Sequence, residues 1–246
     1  MSVSIIMPFY KKRKFVKASV DSILNQTYPD FEIILIYDDE DLNDYEYIKN
    51  LENKDSRIKV IKNKTNLGAG LSRNIGIKNS KNELIAFLDC DDIWEKNKLS
   101  DQIKFMTENK YEISFTSYDI IDHKDRRIGN RMAKKYLTFD DLIKSCDIGL
   151  STVMIKKNLF DDECKFVSLV TKEDYVLWLN LAKKNVKFYG LERSLTKWRK
   201  LDNSLSSNVF QKLYDGFKVY NEYMKFNKVI SIIYLIRLSI NYLLKK

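Results

Sequence analysis

Short apolar runs alternate with predicted helical segments through roughly the first 90 residues of the chain. Four runs lack a helical period and predict strands, at residues 3–7, 31–37, 58–61 and 84–88, with Pro8 ending the first. The segments between them predict helices, at residues 15–25, 45–51 and 71–79. Such alternation produces a mainly parallel sheet with right-handed crossovers. The sequence therefore predicts an α/β fold with a Rossmann-like sheet flanked by helices.

Carboxylates follow two of these strands at the points where the strands end. Asp38 and Asp39 follow the second strand, and Asp89, Asp91 and Asp92 follow the fourth. The carboxyl ends of parallel strands share one edge of a sheet, where ligands bind. A cluster of hard oxygen ligands suits Mg²⁺ or Mn²⁺, usually shared with substrate phosphates. We therefore expect a ligand site at this edge, and the alternative is a solvated acidic loop.

The alternation becomes less regular after residue 95. The predicted elements are helices at residues 99–106, at 139–146 and from near Thr171, extended segments at 113–121, 152–155 and 195–199, and an aromatic-rich helix at 210–224. Four apolar side chains of this last helix are expected to pack in the core: Phe210, Leu213, Tyr214 and Phe217.

The tail at residues 225–246 differs in composition, because it contains no acidic residue. Its apolar residues follow helical spacing, but the run is short and Arg237 interrupts it, which argues against a membrane span. The apolar side and the accompanying cations predict a helix that lies in the interface of an anionic membrane. The alternatives are a helix docked on the protein body and a helix paired with a second subunit.

Net charge indicates the class of partner. The 246 residues include 43 Lys and Arg against 34 Asp and Glu, a net charge of +9. The excess favours anionic partners, namely nucleotides, acidic lipid surfaces or nucleic acid, but no recognised nucleic-acid motif occurs, so nucleic acid is not expected. Three scattered cysteines without zinc-site spacing, and an initial strand in place of a signal peptide, predict a cytoplasmic protein.

Seven motifs occur in a fixed order along the chain. They read Val3-Ser-Ile-Ile-Met-Pro-Phe-Tyr, Ser22-Ile-Leu-Asn-Gln-Thr-Tyr-Pro, Glu32-Ile-Ile-Leu-Ile-Tyr-Asp-Asp, Asn66-Leu-Gly, Ser72-Arg-Asn-Ile-Gly, Phe87-Leu-Asp-Cys-Asp-Asp-Ile-Trp and Lys172-Glu-Asp-Tyr-Val-Leu-Trp. In this order and spacing they closely resemble family 2 glycosyltransferases of the GT-A fold. The resemblance is strong across residues 3–95, weaker to about Ser207 and absent from the tail. It implies a GT-A domain at residues 1–207, with a nucleotide-binding half at 1–95 and an acceptor half at 96–207, followed by a C-terminal helical segment at 208–246.

The resemblance implies an inverting transfer from a nucleotide-diphosphate sugar, with Mg²⁺ or Mn²⁺ as cofactor. The matched residues would bind the nucleotide (Pro8, Tyr10, Asp38, Arg73 and Asp89), the metal (Asp91) and the diphosphate (Arg199, in a closing segment with Ser204-Leu-Ser), and supply the catalytic base (Asp174). Asp38 is expected to accept the N3–H of a pyrimidine, which uracil and thymine both offer, so UDP and dTDP sugars are the expected donors. The metal would neutralise charge on the departing diphosphate.

Asp174 has two interpretations. By resemblance it is the base that takes the proton of the acceptor hydroxyl. However, the run from Thr171 to Asp174 also matches a capping box, with Asp174 at the third helical position. In either role, a helix N-terminus is expected to keep the carboxylate ionised.

Two departures from the family pattern lie in the expected donor pocket. Lys11 stands where Asn usually follows Tyr10, and Glu40 and Asp41 stand where Gly and Ser usually occur. The sequence therefore does not identify the donor sugar. The resemblance and the basic tail together imply assembly of surface polysaccharide or lipopolysaccharide, on a glycan or lipid-linked glycan acceptor, at the inner face of the cytoplasmic membrane.

Two other classes of protein would share such a sheet. A sugar nucleotidyltransferase is expected to carry a Gly-rich phosphate loop after its first strand, and residues 9–14 contain no glycine. A non-catalytic scaffold is expected to have lost some of Asp38, Asp91 and Asp174, and all three are present. The sequence favours the glycosyltransferase over both.

Overall fold

The strands form one mixed sheet with helices on both faces. The computed structural model describes residues 1–201 and 208–244. The strands are β1 (Val3–Phe9), β2 (Phe31–Tyr37), β3 (Ile58–Lys62), β4 (Leu84–Phe87), β5 (Ile93–Trp94), β6 (Ile113–Ile121), β7 (Arg127–Arg131), β8 (Tyr136–Leu137), β9 (Met154–Lys156) and β10 (Phe188–Arg199). Within the described residues their order in the sheet is β3–β2–β1–β4–β9–β6–β10–β5, with β7 beside β6 and β8 beside β10.

The helices cover two apolar cores, one on each face of the sheet. They are α1 (Arg13–Leu24), α2 (Leu42–Glu52), α3 (Ala69–Asn79), α4 (Lys98–Asn109), α5 (Phe139–Leu142), α6 (Glu173–Lys183), α7 (Val209–Lys218) and α8 (Lys228–Leu243). Side chains of α1, α2 and α4 pack with Ile5 on one face, whereas α3 and α6 pack with Ile6 on the other. Neighbouring residues of β1 therefore serve opposite cores, as the alternation of a buried strand requires.

The predicted α/β architecture is confirmed, and its parallel part is the first half of the sheet. β3, β2, β1 and β4 are parallel neighbours, with Ile5 paired to both Ile33 and Ala86. β9 runs antiparallel to β4 and to β6, and so joins the second half to the first. Because β2 and β4 are parallel to the same strand, Asp38 and Asp89 lie at the same edge of the sheet.

Pro8 does not end β1, contrary to prediction. It pairs with Ile36, and the strand continues to Phe9. The neighbour on the other side, β4, ends opposite Ile6. The carbonyl of Ile6 accepts from Leu88 on that side, so the nitrogen of Pro8 faces the same way, beyond the end of β4, and its missing N–H costs no ladder hydrogen bond.

Three boundaries in the second half differ from prediction. α5 ends at Leu142 rather than at residue 146, and β9 begins at Met154 after a 3₁₀ turn at Leu150–Thr152. β10 begins at Phe188 rather than at residue 195. Its register against β6 shifts twice between residues 191 and 196, and such irregularities break the period-2 pattern from which strands are recognised.

The predicted helix at residues 210–224 is α-helical to Lys218 and continues as a π-helical segment, Val219–Tyr223. The prediction that its apolar side chains pack in the core is wrong for three of them: Phe210, Leu213 and Tyr214 are exposed. The opposite side of α7 makes the attachment to the body, through the buried Asp215. Helical spacing identified an apolar side but not whether the protein covers it.

The tail is helical as predicted, since α8 occupies most of it. No helix among the described residues is long and apolar enough to cross a membrane. The expected closing segment at residues 204–206 and the last two lysines lie outside the described residues. The domain boundary at residue 207 stays a prediction.

Candidate active site

The buried carboxylate of Asp38, at the end of β2, holds the loop that precedes α3. It accepts hydrogen bonds from the backbone N–H groups of Leu67 and Gly68, both at 2.8 Å, and from Nδ2 of Asn63 at 2.7 Å. Nδ2 of Asn66 donates to the backbone oxygen of Asp38 at 2.7 Å. The sequence did not predict this structural role, because the partners lie 25 to 30 residues away. A carboxylate offers about four lone-pair sites, so Asp38 retains acceptor capacity for a ligand.

The loop between β1 and α1 lies against the loop that follows β2. The backbone N–H of Lys11 donates to Oδ2 of Asp39 at 3.1 Å. Pro8 is half-buried, whereas the ring of Tyr10 is exposed, with Nζ of Lys11 5.0 Å from its centroid. An exposed aromatic ring at the ligand edge offers a stacking surface. The contact of Pro8 and Tyr10 with a base and ribose stays a prediction.

Arg73, on α3, joins the nucleotide half to α6. Its buried guanidinium donates from Nη2 to Oδ1 of Asp89 at 2.7 Å and from Nη1 to Oε1 of Glu173 at 2.6 Å. Burial lowers the pKa of Arg73, but the two carboxylates more than offset this and raise its pKa overall. Glu173 was not among the predicted site residues, because its partner lies 100 residues away in sequence.

Two glycines allow α3 to lie close to its neighbours. A Cβ atom on Gly76 would lie 2.5 Å from Cγ2 of Ile6 in β1. A Cβ atom on Gly70 would lie 2.6 Å from the carbonyl oxygen of Val167 and 3.1 Å from Cγ of Glu173. Larger residues at these positions would push α3 away from both the sheet and the start of α6.

The loop after β4 presents three carboxylates in different surroundings. Asp89 is partly exposed, and Oδ2 of Asp91 lies 2.6 Å from Nζ of Lys12. Asp92 points inward, where Oγ of Ser151 donates to it at 2.5 Å. Burial and the neighbouring Asp89 raise the pKa of Asp91, although Lys12 opposes the rise, and burial raises the pKa of Asp92 well above its usual range. Asp92 therefore has a structural role, and Asp89 and Asp91 remain as the carboxylates available to a ligand.

Arg199 donates two hydrogen bonds to the acidic loop that follows β4. Nε donates to the carbonyl oxygen of Asp91 at 2.8 Å, and the backbone N–H of Arg199 donates to Oδ1 of Asp92 at 2.8 Å. Nη1 donates to the carbonyl oxygen of Asp122 at 2.9 Å and lies 2.6 Å from Oδ1 of Asp125. The guanidinium of Arg199 therefore lies at the site, where it already contacts Asp91, Asp122 and Asp125. Its contact with a diphosphate stays a prediction.

The predicted capping box at the start of α6 is wrong. Asp174 is the second helical residue, not the third, and Lys172 occupies the N-cap with a φ of 66° and no side-chain cap. The backbone N–H and Oγ1 of Thr171 both donate to Oδ2 of Asp215, at 2.9 Å. The carboxylate of Asp174 accepts only a local bond, from the backbone N–H of Tyr175 at 2.7 Å, among the described residues. Capping therefore does not account for Asp174.

Burial and the adjacent carboxylate of Glu173 raise the pKa of Asp174 to about 7, and Arg73 opposes the rise. The expectation that the helix N-terminus keeps this carboxylate ionised is thus corrected, because desolvation and a like charge outweigh the helix dipole. A carboxylate with a pKa near neutrality is a stronger base than a solvated one and is still substantially ionised at pH 7. The raised pKa is compatible with the predicted role of Asp174 as general base, and that role stays a prediction.

The carboxylates that end β2 and β4 are connected through α3. Nδ2 of Asn63 donates to Oδ1 of Asp38 at 2.7 Å and to Oγ of Ser72 at 2.9 Å. Ser72 precedes Arg73, which reaches Asp89. The predicted nucleotide-binding carboxylates therefore belong to one network along the edge of the sheet.

Asp89 and Asp91 are the residues that could hold a divalent metal. Among residues 1–201 and 208–244, no group of three or more His, Cys, Asp or Glu side chains could hold a metal ion. Mg²⁺ commonly takes one or two protein carboxylates and completes its coordination with substrate phosphates and water. Two hard oxygen donors at a ligand edge fit a metal that binds together with the donor. The metal requirement stays a prediction.

The chain is similar to known proteins along most of its length. Glycosyl transferase family 2 matches residues 4–162. The UDP-Glc:alpha-D-GlcNAc-diphosphoundecaprenol beta-1,3-glucosyltransferase WfgD of Escherichia coli is 36% identical over 235 residues, which cover 95% of this chain and 90% of that protein. WfaP of Escherichia coli, described by the same activity, is 36% identical over 214 residues, which cover 86% of this chain and 82% of that protein.

A solved structure has the same fold. The crystal structure of S. aureus TarS 1–349 in complex with UDP-GlcNAc matches with a TM-score of 0.75 at 21% identity, over 96% of this chain and 70% of that chain. The family match and the relatives favour a glycosyltransferase over a sugar nucleotidyltransferase or a non-catalytic scaffold. The chain belongs to glycosyl transferase family 2, has the GT-A fold and is a glycosyltransferase.

Proposed function

We propose that the protein transfers a sugar, with inversion, from a UDP or dTDP sugar to a hydroxyl of a glycan or lipid-linked glycan in the assembly of surface polysaccharide or lipopolysaccharide. The observation that carries the proposal is the contact of Arg73 with both Asp89 and Glu173, which brings the acidic nucleotide edge next to Asp174. The names of WfgD and WfaP describe a UDP-glucose donor and a GlcNAc-diphosphoundecaprenol acceptor, which supports these two substrate classes.

On the donor side, Asp38 would accept the N3–H of the pyrimidine through the acceptor capacity that its loop contacts leave. The exposed ring of Tyr10, together with Pro8, would cover the base and ribose. Asp89 would bind on the ribose side, where Arg73 holds its carboxylate in place.

At the diphosphate, Mg²⁺ or Mn²⁺ bound by Asp91 would neutralise the charge that develops on the leaving group. Lys12, whose Nζ lies 2.6 Å from Asp91, brings a further cation to this edge. Arg199 would exchange its contact with the exposed carboxylate of Asp125 for a phosphate oxygen. These cations would together hold a diphosphate that carries two negative charges in the intact donor and gains a third as it departs.

On the acceptor side, Asp174 would accept the proton of the attacking hydroxyl. Inversion requires attack from the face of the sugar opposite the diphosphate, so the base must lie across the site from the phosphate-binding residues. We propose that Asp174, on α6, lies across the site from Asp91, which follows β4.

We also propose that the protein works at the inner face of the cytoplasmic membrane. α8 exposes apolar side chains along one side, and Lys225, Lys228 and Arg237 accompany them. An anionic leaflet attracts such a segment by about 1 kcal/mol for each cation near its surface. Lipid-linked acceptors reside in the same leaflet.

A panel of nucleotide sugars tests the donor assignment. Thermal shift and slow donor hydrolysis would be measured with UDP, dTDP and GDP sugars, each with and without Mn²⁺. We expect pyrimidine donors to raise Tm and to be hydrolysed, with a larger effect in Mn²⁺. Asp38→Asn should lose the preference, whereas Asp21→Asn, a control on α1 that is ion-paired with Lys17, should keep it. A preference for GDP sugars, or no response to any donor, would contradict the proposal.

A further inference from the structure

α7 and α8 form an antiparallel hairpin at the end of the described chain. A Cβ atom on Gly216 would lie 2.8 Å from Cδ1 of Leu235, so the last turn of α7 touches the middle of α8. Nζ of Lys212 lies 5.5 Å from the ring centroid of Tyr242. Lys212, the earlier residue of α7, contacts the later residue of α8, and Gly216 contacts the earlier one. The two helices therefore run antiparallel.

One side of the hairpin attaches to the catalytic body. On α7, the buried Asp215 accepts both hydrogen bonds of Thr171. On α8, Ser231 and Leu238 are buried, and Nδ2 of Asn241 donates to the carbonyl oxygen of Lys144 at 2.8 Å. The orientation of both helices is therefore fixed by contacts on the same side.

The other side of the hairpin is apolar and uncovered. Because both helices attach by their buried sides and run antiparallel, their exposed apolar residues face away from the body in a common direction. We call this surface the apolar face; it consists of Val209, Phe210, Leu213 and Tyr214 from α7 and Val229, Ile230, Ile232, Ile233, Ile236, Ile240, Leu243 and Leu244 from α8. Phe210 is 87% exposed. Contiguous apolar patches drawn from two helices are uncommon on soluble monomers and indicate an interaction surface.

The charges of the hairpin are complementary to an anionic surface. Residues 208–244 carry five cations, Lys212, Lys218, Lys225, Lys228 and Arg237, and two acids. Of the acids, Asp215 is buried against the body and Glu222 lies 3.7 Å from Lys218. An apolar side with cations beside it is the pattern of helices that lie in the interface of an anionic bilayer.

We propose that α7 and α8 together form the membrane-docking element, and that α7 inserts its aromatic residues beside the apolar side of α8. This rests on the proposed function, which places the tail at the membrane, and extends it to a second helix that the sequence had assigned to the core. The occupant of the apolar face is an anionic lipid bilayer.

The hairpin also places the acceptor side of the active site near the bilayer. Asp215, on the side of α7 opposite the apolar face, holds Thr171, three residues before Asp174. A bilayer bound to the apolar face is therefore separated from the start of α6 by the thickness of one helix, about 10 Å. This geometry suits an acceptor whose lipid stays in the membrane while its sugar reaches Asp174.

Vesicle binding by full-length variants tests the proposal. Phe210→Ser with Leu213→Ser changes α7, Ile233→Ser with Ile236→Ser changes α8, and Ile128→Ser with Tyr136→Ser is a control at exposed positions elsewhere. Cosedimentation would be measured at low salt with vesicles of phosphatidylcholine alone and with phosphatidylglycerol. We expect the wild type and the control to bind the anionic vesicles, and each hairpin variant to bind at least about tenfold more weakly, because each loses two inserted apolar side chains.

Three outcomes would overturn the proposal. If the α7 variant binds as the wild type does and the α8 variant does not, α8 alone is the docking element and the membrane assignment stands. If the wild type ignores vesicles and forms a dimer that both hairpin variants dissociate, a second copy covers the apolar face. If the wild type neither binds vesicles nor dimerises, the face is no docking surface. Donor hydrolysis in the same samples separates these failures from a failure of glycosyl transfer.

Discussion

Nη1 of Arg73 lies 2.6 Å from Oε1 of Glu173, although 100 positions separate the two residues in sequence. Both side chains are largely buried, and the same guanidinium holds Asp89 at the nucleotide edge. Glu173 precedes Asp174 and raises its pKa, while Arg73 lowers it. The basicity of Asp174 therefore depends on an ion pair whose cation, Arg73, comes from the nucleotide half.

Glu173→Gln should lower the pKa of Asp174, because it removes a negative charge that raises it. The amide oxygen can still accept a hydrogen bond from Arg73. If Asp174 is the base, transfer requires its ionised form, so the acid limb of the kcat/KM profile should move to lower pH. Glu163→Gln, at an exposed carboxylate, is the control and should leave the profile in place. An unmoved limb in Glu173→Gln would show that Asp174 does not control the profile.

Asp174→Asn should reduce transfer by at least ~10²-fold, the usual scale of general-base catalysis. The change preserves size and the oxygen that accepts the bond from Tyr175 N–H. Donor binding, measured by calorimetry with UDP, should be little changed. A modest loss of rate would contradict the assignment of Asp174 as base.

Relative to wild type, Asp174→Asn should become more stable as pH rises, because the wild type loses stability when Asp174 ionises. The pKa of Asp174 is raised from 3.8 to about 7 in the folded protein, so ionisation costs folding free energy progressively across that window. Asparagine cannot ionise, so the Tm of Asp174→Asn relative to wild type should be lowest near pH 4 and rise to a plateau above pH 7. Asp162→Asn, at a fully exposed carboxylate, should give a difference that does not vary in this way. A constant offset across the range would mean that the pKa is not raised.

Lys12→Met should strengthen metal binding at Asp91. Nζ of Lys12 lies 2.6 Å from Oδ2 of Asp91, so it competes with a divalent cation for the same carboxylate. The pair is partly exposed, and its loss should raise Mn²⁺ affinity by up to about fivefold, or ~1 kcal/mol, measured by electron paramagnetic resonance without nucleotide. Asp91→Ala should abolish this binding and Lys14→Met should not affect it. Equal Mn²⁺ binding by wild type and Asp91→Ala, with activity that persists in chelator, would refute the metal site.

The apolar pattern along the chain was sufficient to predict several strands and the acidic edge of the sheet. β2 has the predicted bounds, because a largely continuous apolar run between polar residues is typical of a buried strand. β6 also has its predicted bounds. The acidic edge followed from strand order, since Asp38 and Asp89 end strands parallel to β1. Residue types and spacing were sufficient for these features.

Tertiary partners decided the features that the sequence missed. Thr171 matched a capping box, but Asp215, which is 44 positions away, binds it instead. Glu173 was overlooked because its role depends on Arg73. The period of α7 marked an apolar side, and whether that side faced the body or the solvent depended on how α7 docks.

The stereochemistry of transfer tests the central claim most directly. The wild type would be incubated with an α-linked UDP sugar, Mn²⁺ and a lipid-diphosphate GlcNAc acceptor, and the new linkage would be determined by nuclear magnetic resonance. We predict a β linkage, formed by a single displacement that Asp174 assists and lost in Asp174→Asn. An α linkage, or equal transfer by Asp174→Asn, would contradict the account.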